Sequence, residues 1–384
     1  MASPMSITER PLLLDRTRTA PRPSNWPRDW RWRSALALAF AIPYILLAAA
    51  VYDHGFSDSA NAKLDARSQL IHWGASDLSF VGHVYPPLPT AVASLLPNAM
   101  SLGILGALAA GGILEALAFR LGSRGYPVWA TLLVVAGVAA SPSFAMTATT
   151  DLASFMALLF VTLALDGFTR FVFLGQTHGG FQAGLTIGIA GLCDPAAIVF
   201  AVGFTLAAPL IAHSRFRAER QAGRATAAVL LFPTVAGIVG WMFLCWRFTG
   251  SPLGWLRGVA PKLWSGDHSV HALGAVLEST GRPVLLTPLF VIAVVLFGAR
   301  GRWLPAAGIC LPIVCIVVAR SIGLVFPGTS VAVVLGIVGV VSLPAKPKAR
   351  VLAVIVAIAL AGIAAKWAYP PSGPVVAWEK ALSR

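Results

Sequence analysis

The chain has 384 residues, of which 57% are hydrophobic and only 11% charged, with a formal net charge of +14. Ordinary soluble domains carry roughly 25% charged residues, so a water-soluble globular protein is excluded. The positive charge sits in short clusters between apolar runs, which is the pattern of a membrane topology signal and not of a nucleic-acid surface.

Residues 1–33 form a basic tail holding seven arginines and no apolar core, so no cleaved signal peptide is expected. Its Trp26, Trp30 and Trp32 suit the lipid interface, and its arginines suit anionic headgroups. Span 1 is expected at Ser34–Val51, because about 20 apolar residues in helical form cross the hydrocarbon layer. A polar loop, Asp53–Pro87, follows. It contains Asp58, Lys63, Asp65, Arg67, Asp77 and the histidines His54, His72 and His83, and it leaves through Tyr85-Pro86-Pro87-Leu88. Ala91–Leu96 reads as a short interfacial piece.

Span 2 is expected at Ala99–Phe119 and span 3 at Val128–Phe144, followed by a brief polar patch from Met146 to Asp151. Span 4 covers Leu152–Leu174. Phe181–Ile211 is too long for one span and is interrupted by Cys193-Asp194-Pro195. Proline removes a backbone donor and disfavours helix just before it, so two short helices meeting at that point are expected. Span 7 is expected at Ala225–Trp246 and is followed by a second polar loop, Arg247–Pro283, with Trp255, Arg257, Lys262, Trp264, Asp267, His268 and His271. Four further spans are expected near Val284–Ala299, Leu304–Ala319, Ile322–Leu343 and Val351–Trp367.

These runs predict an all-α, polytopic membrane protein of about eleven transmembrane helices. With the N-terminus cytoplasmic, 19 of the 29 Lys and Arg residues fall on the cytoplasmic side and 10 on the external side. That asymmetry predicts a plasma (inner) membrane protein with an external C-terminus and both polar loops outside. Cys193, Cys245, Cys310 and Cys315 lie in or beside apolar runs, which indicates neither a disulfide framework nor a thiolate metal site.

Several motifs follow one another in a definite order. Tyr85–Leu88 closes the first loop, and Phe119-Arg120-Leu121-Gly122 ends span 2. Ala140-Ser141-Pro142-Ser143-Phe144 closes span 3, Thr150-Asp151-Leu152-Ala153-Ser154-Phe155 opens span 4, and Gly180–Gly188 comes next. The series resembles the membrane-embedded GT-C glycosyltransferases, near the protein O-mannosyltransferase and aminoarabinose transferase group. The resemblance covers residues 34–211 as a GT-C-like module with external loop 53–87. Residues 212–384 then form variable C-terminal helices with external loop 247–283.

What the resemblance implies is sugar transfer from a polyprenyl-phosphate carrier to an acceptor hydroxyl at the outer membrane face. Asp58, with Asp53 second, matches the aspartate of the first external loop that serves as base or orients the acceptor. Alcohols are weak nucleophiles at neutral pH, and a carboxylate can take the proton as the oxygen attacks. Two departures stand out. Ala145–Thr150 contains no cation, and Asp194 stands where a basic residue is common. Phosphate binding then falls to Arg257 and Lys262, or to Lys63 and Arg67, because charge building on the leaving phosphate needs cations or hydrogen-bond donors.

Asp151, Asp194, His83, Tyr85, Trp255 and Trp264 are the remaining candidates for acceptor or sugar binding. Acids within apolar helices are costly unless they face a cavity, and indole faces suit sugar rings. Each has a structural alternative: Asp58 is equally suited to cap a helix over Ser59–Trp73, Asp151 to cap span 4, and Trp255 and Trp264 to lie in an interfacial helix. No cofactor is called for. A divalent cation stays open, but His54, His72 and His83 lack the spacing of a ligand pair on one helical face. The expected partners are membrane lipid and the polyprenyl-phosphate sugar, with no nucleic acid. The competing functional class is a transporter or flippase for a lipid or amphiphile, or an inactive scaffold binding a second membrane protein.

Overall fold

The computed structural model describes residues 26–53, 59–74, 78–96, 98–174, 176–215, 220–255, 274, 281, 283–299, 303–321, 331–369 and 373–382. Among these the secondary structure is entirely helical. Fifteen α-helices appear in chain order. The first seven are α1 (Trp30–Asp53), α2 (Ala60–Ser68), α3 (Pro87–Ala93), α4 (Ala99–Ser123), α5 (Val128–Ala139), α6 (Pro142–Thr150) and α7 (Leu152–Leu174). They are followed by α8 (Thr177–Cys193), α9 (Ala196–Arg215), α10 (Arg220–Thr249) and α11 (Pro288–Gly298). The last four are α12 (Trp303–Ser321), α13 (Val331–Ser342), α14 (Ala349–Ala368) and α15 (Gly373–Leu382).

Among the described residues five helices are long and apolar enough to cross a membrane: α1, α4, the Leu152–Phe171 part of α7, the Ala227–Thr249 part of α10, and α14. The pair α5 and α6, bent by 67° at its break, makes a sixth span if counted as one. Shorter apolar helices occupy Ala196–Pro209, Pro288–Gly298, Ala306–Ala319 and Val331–Ser342. The outer faces carry exposed apolar side chains such as Leu38, Ile42, Leu46, Phe232 and Val239. Trp30, Trp32 and Trp129 at one end and Trp73 and Trp246 at the other are also exposed. An apolar belt between aromatic girdles is the surface a bilayer requires.

Helix α4 is the hub of the bundle. A Cβ at Gly111 would collide with the Ala37 carbonyl of α1, and one at Gly106 would collide with the Ala148 carbonyl of α6. Lipid tails are as apolar as leucine, so close backbone approach and dispersion replace the hydrophobic drive that packs soluble helices. α4, α6, α7 and the turn after α4 supply the core of Leu114, Leu117, Tyr126, Phe144, Phe155 and Leu158. Phe144 meets Tyr44 and Phe155 edge-to-face, at 5.5 and 5.0 Å between centroids.

The structure departs from the sequence reading in three places. The expected third span is two helices, and the polar patch from Met146 to Thr150 is helical. Pro142 sits in the first turn of α6, where its missing N–H costs nothing. The hydroxyls of Thr147, Thr149 and Thr150 donate to the carbonyls of Ser143, Ala145 and Met146 at 2.7, 3.0 and 2.7 Å. A run that looks polar in sequence thereby satisfies itself inside the bundle. Second, α2 ends at Ser68, and its N-cap is Ser59, whose hydroxyl accepts from the Ala62 N–H; the capping role proposed for Asp58 belongs to its neighbour. Third, α15 was not expected, and it seats Trp378 in the core at 1% exposure.

Gly106→Ala should lower the melting temperature, by the order of 1–3 kcal/mol that overpacking a tight contact costs. Gly240→Ala meets nothing within 4 Å and should leave stability unchanged or raise it by about 0.5–1 kcal/mol, the usual helical gain. Thermal melts of the purified variants compare the two.

Candidate functional site

Two chain breaks and the first loop meet at one end of the bundle. The first break is Asp151, between α6 and α7, and the second is Asp194-Pro195, between α8 and α9. Each aspartate caps the helix it precedes: Asp151 Oδ1 accepts from the Ser154 N–H at 3.1 Å, and Asp194 Oδ1 from the Ala196 N–H at 2.9 Å. Their other oxygens converge on a single hydroxyl. Ser154 Oγ lies 2.7 Å from Asp151 Oδ2 and 3.1 Å from Asp194 Oδ2. Asp194 and Ser154 are 2% and 1% exposed.

A serine hydroxyl has one proton and can donate to only one carboxylate. Two carboxyls and one serine hydroxyl are thus gathered within hydrogen-bond distance where the two breaks meet.

The first loop covers this junction through α2. Asn61 is completely buried. Its Nδ2 donates to the Tyr52 hydroxyl at 3.2 Å and to the Thr149 carbonyl at 3.3 Å, while its Oδ1 accepts from the Leu152 N–H at 2.7 Å. Leu64 packs beneath with Ala93, Leu102 and Leu152. Arg67 Nη1 donates to the Tyr85 carbonyl at 2.6 Å, and burial pushes its guanidinium below the ordinary value.

Tyr85 joins the loop to the second break. Its hydroxyl donates to the Gly191 carbonyl at 2.6 Å, three residues before Asp194. Burial, then the nearby Asp194, then Cys193, hold the phenol above its usual range. Its ring stacks on Trp255 at 4.5 Å and tilts against Trp241 at 6.3 Å. Val81, from the 3-10 turn Ser79–Gly82, and Cys245 complete this cluster.

Asp151, Asp194, Arg67, Tyr85 and Trp255 are thus gathered at one end, by direct contacts or through α2. Asp53, the last residue of α1, is exposed, as are Lys63 and His83. Asp58, Arg257, Lys262 and Trp264 lie outside the described residues, as does His54. Among the described residues no three His, Cys, Asp or Glu side chains converge as metal ligands.

Sequence reading missed Ser154, Asn61 and Trp241. Ser154 had a signal, because Asp-x-x-Ser at the start of a helix aligns the two side chains on the first turn. Asn61 had one as well, since Asn61, Leu64 and Ser68 share the buried face of α2 at helical spacing. Trp241 looks like any lipid-facing residue of α10 and is revealed only by packing.

No protein-family model matches this chain, and neither a curated protein nor a solved structure does.

Asn61→Ala should destabilise the protein by about 1–3 kcal/mol, because it strands the buried Leu152 N–H and Thr149 carbonyl. Replacing exposed Lys63 with Ala on the same helix should cost under ~0.5 kcal/mol. Thermal melts read the contrast, and equal losses would mean that Asn61 does not anchor α2.

Proposed function

We propose that the protein is a GT-C-type membrane glycosyltransferase. It moves a sugar from a polyprenyl-phosphate carrier to an acceptor hydroxyl at the extracytoplasmic face of the plasma (inner) membrane. The observation that carries this reading is the convergence of the first loop, the Asp151 and Asp194 breaks and the Tyr85–Trp255 cluster at one end of a helical bundle. The ordered motifs from Tyr85 to Gly188 point the same way.

In this reading the acceptor oxygen attacks the anomeric carbon while its proton passes to Asp58, with Asp53 as the alternative base. The bond between the anomeric carbon and the phosphate oxygen breaks, the configuration inverts, and the lipid phosphate leaves with the electron pair. Arg257, Lys262, Lys63 and Arg67 stabilise its growing negative charge. Trp255 and Trp264 provide apolar faces for the sugar, and Asp151, Asp194, His83 and Tyr85 orient hydroxyls. The chain crosses the membrane about eleven times, with a cytoplasmic N-terminus and an external C-terminus. The number of apolar runs in the sequence supports that count, and the Lys and Arg asymmetry supports the orientation. A single cysteine at Asp77 should react with an impermeant reagent in intact cells; labelling only after permeabilisation would reverse the orientation.

A transporter or flippase is the second reading, favoured by one observation. Asp151, Ser154 and Asp194 form a buried polar group beside apolar helices, and acids at such depth mark proton relays in carriers.

Purified protein given labelled polyprenyl-phosphate sugars separates the two. Transfer to an acceptor supports the enzyme, whereas carrier movement without product supports the transporter. Asp58→Asn should lower transfer by roughly 10²–10⁴-fold, the usual worth of a general base, with the melting temperature nearly unchanged. If Asp58→Asn is active and Asp53→Asn is not, the base is Asp53. If both transfer sugar normally, neither is the base.

A further inference from the structure

At the end of the bundle opposite the candidate site, the C-terminal ends of α4 and α7 bring together more guanidinium groups than the acids among the described residues can neutralise. Arg33 is matched, with Nε and Nη2 on the two oxygens of Glu115 at 2.6 and 2.8 Å. The others are not. Asp166 is shared by Arg120, at 3.1 Å, and by Arg170. Arg124 donates to the Leu343 carbonyl, which brings no charge. Lys346 adds a further cation, its backbone N–H bound to the Arg124 carbonyl at 3.0 Å. Among the described residues Arg120, Arg124 and Arg170 thus draw on one carboxylate, Asp166, with Lys346 beside them in the α13–α14 turn.

The cluster is neither fully buried nor freely hydrated. The side chains of Arg120, Asp166 and Arg170 are 13%, 20% and 32% exposed. The Nε–H of Arg120 is buried without an acceptor. Burial, followed by repulsion from Arg120, pushes the Arg124 guanidinium below its ordinary value. Excess positive charge in such a setting is costly unless an anion joins it. Exposed Trp30, Trp32 and Trp129 mark the same end, and tryptophan settles at headgroup depth. The anion present at that depth is a lipid phosphate, and basic pockets between helix ends are suited to it.

We infer that Arg120, Arg124, Arg170 and Lys346 form a binding site for the phosphate of an anionic phospholipid headgroup. Arg170 is more exposed than Arg120, at 32% against 13%, and is the arginine a headgroup reaches first. The site is independent of the catalytic or transport role of the opposite end.

The test uses the purified full chain in a neutral detergent, with retained lipid measured by native mass spectrometry and melting temperature measured alongside. Phosphatidylglycerol should bind saturably, at least tenfold more tightly than phosphatidylcholine, and should raise the melting temperature. Inorganic phosphate at the same concentration should do neither. Arg170→Gln should weaken phosphatidylglycerol binding by about tenfold, in line with the loss of one charge-assisted contact. Arg170→Lys should retain most of the binding, and Lys380→Gln on α15 should change nothing. Arg170 is partly exposed, so the comparison survives if the more buried Arg124→Gln variant fails to fold. Equal binding of the two lipids overturns the proposal, as does stabilisation by inorganic phosphate, or an unchanged affinity in Arg170→Gln.

Discussion

Close backbone contact along α4 is the constraint on which the rest of the molecule depends. The carbonyls of Ala37 and Ala148 sit where side chains at Gly111 and Gly106 would otherwise be. In a bilayer no hydrophobic gain rewards bringing apolar helices together, so association rests on dispersion at short range and on hydrogen bonds. Drawing α6 against α4 fixes the end of α6, and with it Thr149, Asp151 and the start of α7. The first loop can then dock on backbone groups that are already in place. The polar end of the protein is organised by a contact made among apolar residues.

That end shows how the buried polar groups at the two helix breaks are met. Asp151 and Asp194 each serve the first turn of a helix, where the orphan N–H groups and the helix dipole favour negative charge. Ser154 links the two carboxyls, and Asn61 uses its amide oxygen and nitrogen on three different partners. Each group thus has a structural duty. The opposite end solves another problem. There, among the described residues, Arg120 and Arg170 share the one carboxylate of Asp166.

Much of this was legible in the sequence, for physical reasons that differ between elements. The break at Asp194 was visible because proline cannot continue the hydrogen-bond ladder. The helical class followed from run length, since the hydrocarbon layer permits few alternatives. The continuity of α6 was hidden because threonine hydroxyls bound to carbonyls four residues back read as polarity in sequence and as nothing in the fold. Short α15 gave no signal, because Trp378 is buried only by helices distant in the chain. Asp151, Asp194, Tyr85 and Trp255 could be nominated individually, since charge or aromaticity at a helix break is conspicuous. Their joint placement depends on tertiary packing, which a single sequence does not display.

The way α2 is attached has a consequence for how this protein can change over time. Asn61 grips main-chain atoms of Thr149 and Leu152, which every amino acid but proline supplies in full. The side chains at 149 and 152 can therefore drift without loosening the loop, as long as volume is kept. Position 61 has no such freedom, because an acid or an aliphatic residue there supplies only half of the donor and acceptor pair or neither. Descendants of this chain should exchange side chains of similar volume at the receiving end of the attachment while keeping asparagine at the giving end. The asymmetry would record which partner in each contact uses its backbone and which its side chain.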